Sequence, residues 1–168
     1  MPQIKIREWN EKPRTKLRFI KIGDIFCYQF SEEMFVFGQI LGKVNVGHVI
    51  QFFDIFQASP TITVEELSRA QFIGKPIIVD SYTLFDRSPV WSWQIIGHQV
   101  DFDPSPFKDL AFKWGDPNGL HFGKVWLDGR TEPKIFSREE VEDLDWEACV
   151  GSIVYNRILE EELDKQMK

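Results

Sequence analysis

Residues 24–56 read DIFCYQFSEEMFVFGQILGKVNVGHVIQFFDIF, and this stretch decides the fold. Its aromatic and β-branched residues fall into three runs, 24–30, 34–41 and 48–56, whose composition is typical of β-strands. Short turns rich in Ser, Glu, Gly and Asn separate the runs, so consecutive strands are expected to pair antiparallel. A shorter run at 19–22 precedes them, and the four runs together predict an antiparallel meander.

The pattern changes at residues 63–66, where the sequence TVEE matches a helix capping box. A short helix is expected there, ending before Gly74. Strands resume at 77–79 and 91–97, with a turn predicted at 86–89. The sheet is therefore expected to hold about six strands.

The longest expected loop covers residues 101–119, which contain Asp-Pro, Ser-Pro and Asp-Pro-Asn-Gly steps. Residues 120–127 predict one more strand. A second capping box at Ser137, followed by apolar residues at helical spacing, predicts a helix to the C-terminus. The predicted fold class is α+β: a twisted, mostly antiparallel sheet, open or partly closed into a barrel, with one short helix after the fourth strand and a C-terminal helix.

Residues 1–16 are expected to form a polar lead-in, because Pro13 and clustered charges pack and pair poorly. Residues 17–168 are expected to form a single α+β domain, since 43% hydrophobic residues supply one core. The sequence shows neither a stretch of membrane-spanning length nor a signal-peptide pattern, so a cytoplasmic location is expected. Cys27 and Cys149 are expected to be buried, reduced thiols.

Charge is distributed unevenly along the chain. Residues 1–84 carry ten basic and nine acidic side chains, whereas residues 85–168 carry ten basic and seventeen acidic side chains. An acidic surface repels nucleic-acid backbones and anionic membranes, and it attracts a cationic protein. We therefore expect a basic protein partner, and neither nucleic acid nor a membrane.

No catalytic or cofactor motif is evident. His48, His98 and His121 are dispersed and lack the spacing of metal ligands, and no nucleophile elbow or phosphate-binding glycine loop occurs. Asp101 and Asp103 could act as an acid–base pair, but residues of this type beside prolines are also typical of turns. We therefore expect no metal, no cofactor and no enzyme activity.

Four segments resemble, in order and spacing, the Immunity protein 26 family of bacterial polymorphic-toxin systems: 21–26, 37–41, 53–56 and 93–98. The resemblance implies an immunity protein that neutralises a cognate toxin, secreted or delivered by contact-dependent growth inhibition, through a stoichiometric complex. Some relatives carry an organophosphate-hydrolase label, so a small hydrolase and a cytosolic adaptor are the alternatives. The positions assigned to the shared motif are Gly23, Asp24, Phe37, Gly38, Phe53, Asp54, Trp93 and Gly97.

These motif positions are expected to maintain the fold rather than to contact a partner. Gly23 and Gly38 are expected at turns or bulges, and Asp24 and Asp54 are expected to cap backbone donors.

The resemblance also implies a partner, the C-terminal domain of the toxin. Such domains are frequently nucleases with basic surfaces, so the contact is expected on the acidic second half of the chain. The alternative surface is the strand face near Trp91 and Trp93, two residues that also suit core packing. The predicted toxin-binding residues are Asp101, Asp103, Asp109, Asp116, Glu139, Glu140, Glu142 and Asp143.

Overall fold

The fold is built on a six-stranded antiparallel sheet, and the computed structural model describes residues 1–168. The strands of this sheet are β1 (Ile4–Ile6), β2 (Asp24–Ser31), β3 (Met34–Val44), β4 (Gly47–Gln57), β5 (Phe72–Val79) and β6 (Trp93–Gln99). Their spatial order is β1-β6-β2-β3-β4-β5, so the sheet stays open with β1 and β5 at its edges. A smaller antiparallel sheet pairs β7 (Ala111–Gly115) with β8 (Phe122–Trp126).

Two α-helices complete the predicted α+β fold: α1 (Val64–Arg69) and α2 (Ser152–Gln166). The capping box at Thr63 is confirmed, since the backbone N–H of Glu66 donates to the Thr63 hydroxyl and the Glu66 carboxylate accepts from the Thr63 N–H. Short helical turns connect the strands. They are 3-10 turns at Leu17–Phe19, Ser105–Phe107 and Glu139–Val141, and a π-helical turn at Tyr82–Asp86.

The central strands are covered on both faces of the sheet. On one face, Phe26 and Trp93 pack in a cluster with Tyr155 and Leu159 of α2. This burial explains why the sequence of β2, β3 and β4 is almost continuously apolar instead of alternating.

The opposite face and one end of the sheet are covered by other elements. Phe37 packs in a cluster with Leu67 of α1. Phe112 and Val125 of the small sheet pack with Leu41 at the end of β3. The small sheet is thereby fixed to the main sheet through its apolar side chains.

One strand expected near the N-terminus is absent, and one that was not expected is present. Residues 19–22 form no strand, because the chain makes a 3-10 turn at Leu17–Phe19 and then enters the left-handed conformation at Gly23 with a φ of 88°. The polar segment 1–16, whose residues were expected to pair poorly, contains β1, which pairs with β6 and places Ile4 opposite Gln99. The three-residue strand is too short to be seen as a periodic pattern.

Two further expectations, in the second half of the chain, need correction. The 101–119 loop contains β7, which pairs with β8. The helix expected from Ser137 begins only at Ser152, although the Ser137 N–H donates to the Glu140 carboxylate as in a capping box. The chain leaves helical geometry after Val141, pairs with Lys113 of β7 at Trp146, and then reaches the edge of β5, where the Val150 N–H donates to the Ile78 carbonyl at 2.8 Å.

Gly38 lies at a close approach between backbone and core. The pairing of β3 with β4 shifts register between Val36 and Gly38, which marks a bulge or irregularity. A Cβ atom at Gly38 would overlap the Phe26 ring and the Gln51 carbonyl oxygen. Glycine is needed here because the Phe26 ring crosses directly over the backbone of β3.

Replacing Gly38 with alanine should therefore lower the free energy of unfolding by about 1–3 kcal/mol, the usual cost of overpacking a core. Gly151→Ala is the matched control, because no atom lies within 4 Å of the added methyl group. Urea unfolding of both variants measures the difference. Equal stability of the two variants would show that the close approach at Gly38 is not a constraint.

Candidate functional site

The acidic segment 139–143 begins with a 3-10 turn that the core holds in place. Val141 is buried in a cluster with Phe122 and Phe136. Glu140 is tied down, since its carboxylate accepts from Lys134 Nζ at 2.7 Å and from the Ser137 N–H at 2.8 Å. These two interactions lower the pKa of Glu140 to about 2.

The other three acidic residues of this segment are Glu139, Glu142 and Asp143. They are exposed, and their carboxylates form no hydrogen bond or ion pair. They are therefore free to meet a partner without breaking an intramolecular contact.

Three of the four carboxylates of the 101–116 loop accept backbone N–H groups, that of Asp101 from the N-terminal segment and those of Asp103 and Asp116 locally. Asp101 accepts from the Gln3 N–H at 2.8 Å and Asp116 accepts from the Asn118 N–H at 2.9 Å. Asp103 accepts from the hydroxyl and the N–H of Ser105, and these bonds lower its pKa. Such bonds are the usual role of Asp in turns.

The structure separates the eight predicted residues into two groups. Arg138 donates to the carbonyls of Pro117 and Gly119, so the turn that contains Asp116 lies against the segment 139–143. Asp101, Asp103 and Asp109 lie at the other end of the small sheet, where the Leu127 N–H donates to the Leu110 carbonyl. The larger acidic group is therefore Asp116, Glu139, Glu140, Glu142 and Asp143.

Basic side chains of the small sheet and of residues 130–138 lie over aromatic rings, a feature that no pattern in the sequence marks. Lys124 and Lys134 lie 4.2 and 4.7 Å from the centre of the Phe136 ring. Such cation–π contacts hold the basic groups against the protein surface. The same contact is made by Lys113 with Trp146, Arg130 with Trp126 and Arg138 with Phe122.

A shallow basic cleft lies apart from the acidic segment, between residues 14–18, Lys43 and the end of the π-helical turn. It encloses about 490 Å³ and is lined by Arg14, Lys16, Leu17, Arg18, Lys43, Asp86 and Arg87. Asp86 accepts from the Leu17 N–H and from the Arg14 guanidinium, which lowers the pKa of Asp86. The acidic and basic surfaces are thus formed by different parts of the fold.

Asp24 and His98 form a pair in which His98 Nδ1 lies 2.9 Å from the Asp24 carboxylate. Burial raises the pKa of Asp24, although its hydrogen bonds with the Lys21 N–H and with His98 act in the opposite direction. A carboxylate that orients an imidazole is one part of many hydrolytic sites. No Ser, Thr or Cys side chain is hydrogen-bonded to His98.

His48 and Ser81 form a second pair, 2.8 Å apart and fully buried. Burial lowers the pKa of His48 to about 4, and the nearby Lys43 charge acts in the same direction. The pair has no access for a substrate and satisfies polar atoms inside the fold.

The remaining sequence expectations concern metals, cysteines and tryptophans. No group of three or more His, Cys, Asp or Glu side chains is placed to hold a metal ion, and none of the helices is long and apolar enough to span a bilayer. Cys27 is buried, but Cys149 is exposed, so the expectation of two buried thiols is wrong for Cys149. Trp93 is buried in the core, whereas Trp91 lies outside the strand.

The two aspartates of the shared motif accept hydrogen bonds from backbone N–H groups, as expected. The Asp24 carboxylate accepts from the Lys21 N–H at 2.7 Å, and the Asp54 carboxylate accepts from the Gln71 N–H at 2.8 Å. In each carboxylate, the oxygen that accepts this hydrogen bond is not available to a partner.

Comparison with known proteins gives one match. A family model described as Immunity protein 26 matches residues 21–121, which include β2 to β7. No curated protein and no solved structure matches the chain.

The His48 pair predicts a pH dependence of stability. Between pH 6.5 and about 4 the unfolded chain binds a proton at His48 while the folded chain does not, so the free energy of unfolding falls as the pH falls through this window. The loss attributable to His48 should be on the order of 2–3 kcal/mol. His48→Gln should show a smaller loss between pH 7 and 4, and the exposed control His121→Gln should follow the parent. Urea unfolding at each pH measures the free energy of unfolding. If this free energy falls equally with pH in all three proteins, His48 is not the group responsible.

Proposed function

Because the chain belongs to the Immunity protein 26 family, we propose that it binds and neutralises a cognate bacterial toxin domain by forming a stoichiometric complex. The family match over residues 21–121 carries this proposal. The partner is the C-terminal domain of a secreted or contact-delivered toxin, and the complex forms in the cytoplasm of the producing cell. No catalytic step is part of the mechanism.

The acidic segment 139–143 supports a contact with a basic toxin surface. Its free carboxylates Glu139, Glu142 and Asp143 stand on a turn that buried Val141 fixes to the small sheet. A toxin domain that cleaves nucleic acid has a basic active site, because it binds phosphate. Carboxylates presented by a rigid turn can cover such a site and replace the charge of the substrate.

The two groups of acidic residues have different parts in this proposal. Glu139, Glu142 and Asp143, with Asp116 beside them, face the toxin directly. Asp101 ties the 101–110 loop to the Gln3 N–H, Asp103 holds the turn at Ser105, and both contribute negative potential at a distance. Glu140 keeps the turn in place.

A small hydrolase is the second candidate function, and the Asp24–His98 pair is the observation that favours it. His98→Asn retains a donor for Asp24 but removes the imidazole base. A variant that protects cells from the toxin as well as the parent supports binding as the mechanism. A variant that binds the toxin but no longer protects would favour hydrolysis.

Reversing Glu139, Glu142 and Asp143 to Lys should slow association with the toxin domain encoded beside this chain by about tenfold or more at low salt, because steering by charge is lost. Glu140 is retained, since its carboxylate bonds to Lys134 and Ser137. Stopped-flow or surface-based kinetics at low and high salt measure the rate. The salt dependence of the rate should weaken in the variant.

The matched control reverses Glu160, Glu161 and Asp164, which changes the net charge equally at the exposed C-terminal end of α2. This control should bind almost as fast as the parent. An equal effect of both triple variants would mean that only net charge matters. If the 139–143 variant associates as fast as the parent, the interface lies elsewhere.

A further inference from the structure

An apolar groove runs along the free edge of the main sheet. It encloses about 230 Å³ between β5, the small sheet, the 145–150 segment and the start of α2. The volume is below the roughly 300–1,000 Å³ of small-molecule pockets. Its lining residues are mostly apolar: Lys75, Pro76, Ile77, Ile78, Phe112, Asp145, Trp146, Ala148, Cys149, Val150 and Val154.

The walls of the groove are firmly held. The Val150 N–H donates to the Ile78 carbonyl, which ties the 145–150 segment to the edge strand. Pro76 has no N–H, so a further strand cannot pair fully with this edge. The groove is therefore open to a side chain but is not a site for strand addition.

Large apolar side chains are exposed at the groove. Trp146 is 37% exposed and Val154 is 40% exposed, and both line it. A partially exposed tryptophan beside a groove is typical of interface hot spots, where an anchor side chain of the partner becomes fully buried. With a volume of about 230 Å³, the groove is large enough for one aromatic or branched aliphatic side chain.

Acidic side chains outnumber basic ones around the groove by three to two, counting Lys113, whose Nζ lies 5.2 Å from the centre of the Trp146 ring. Asp145 lines it, and Glu147 lies in the same wall with its carboxylate accepting from the Asn45 N–H. Burial raises the pKa of the Cys149 thiol, and the nearby Asp80 carboxylate acts in the same direction. Lys75 is the one basic lining residue, and it is paired with Asp145 at 2.6 Å.

We propose that this groove receives an apolar side chain of the toxin domain that is flanked by Lys or Arg residues. The proposal rests on the proposed function and deepens it. The acidic residues around the groove complement basic neighbours of the anchor, and residues 143 and 145 make the groove continuous with the acidic segment 139–143. A second copy of the chain fits poorly, because it would bring two acidic rims together.

Val154 and Ile153 provide a matched pair of variants. Val154 lines the groove, whereas Ile153 is its neighbour on the same helix, is 75% exposed and does not line the groove. With a catalytically inactive form of the toxin domain, Val154→Arg should raise the dissociation constant about 30-fold or more, the size of a hot-spot loss. Ile153→Arg should leave it nearly unchanged.

Cys149 offers a second measurement that needs no mutation. Its thiol is exposed and lines the groove, whereas Cys27 is buried, so N-ethylmaleimide should label Cys149 selectively in the native protein. Addition of the toxin domain should slow this labelling about tenfold or more, because the anchor side chain covers the thiol.

The outcomes separate this proposal from the proposed function. Suppose that the parent binds the toxin domain tightly. If Val154→Arg then binds with the affinity of the parent, or if the complex leaves the labelling rate of Cys149 unchanged, the groove proposal is overturned and the immunity function stays intact. Failure of the parent to bind the toxin domain at all would overturn the proposed function itself.

Discussion

The packing of aromatic rings around Trp93 is the interaction on which the rest of the structure depends. The indole stacks on Tyr28 with ring centroids 4.4 Å apart and is almost completely buried. Tyr155 of α2 and Phe85 of the π-helical turn pack edge-on against the same indole. Because these residues come from four separate elements, one ring fixes α2 and the π-helical turn to the sheet. Both the groove beside Val154 and the basic cleft beside Asp86 are positioned by these contacts.

The second constraint is electrostatic. The small sheet and the following segment contain many charges of both signs, but the basic groups at residues 113, 124, 134 and 138 lie over aromatic rings or bond to carbonyl oxygens. Glu139, Glu142 and Asp143 have no such partners. Residues 111–147 carry nine acidic and five basic side chains, so the potential of this region is negative, which suits an approach by a basic protein.

The sequence was most informative where local pattern and tertiary packing agree. The apolar runs of β2, β3 and β4 and the capping box at Thr63 correspond to elements of the fold. The sequence misled where tertiary contacts override local signals. Ser137 and Glu140 form the hydrogen bonds of a helix start, yet the chain turns away and pairs with Lys113 of β7 and then with Ile78 of β5. The three residues of β1 carry too little pattern to be recognised without β6 beside them.

The candidate site was only partly predictable for a similar reason. The acidic residues could be counted, but the difference between Glu140, held by Lys134, and Glu142, which has a free carboxylate, depends on contacts distant in sequence. The groove is assembled from β5, β7, the 145–150 segment and α2, and no short motif marks it.

The central claim is that this chain neutralises a toxin by stoichiometric binding. The most direct measurement is a titration of the purified toxin domain's activity with increasing amounts of the chain. A binder predicts that activity falls linearly and reaches its minimum at one equivalent, without further change over time. Progressive loss of toxin activity at well below one equivalent, or no loss at any ratio, would contradict the account.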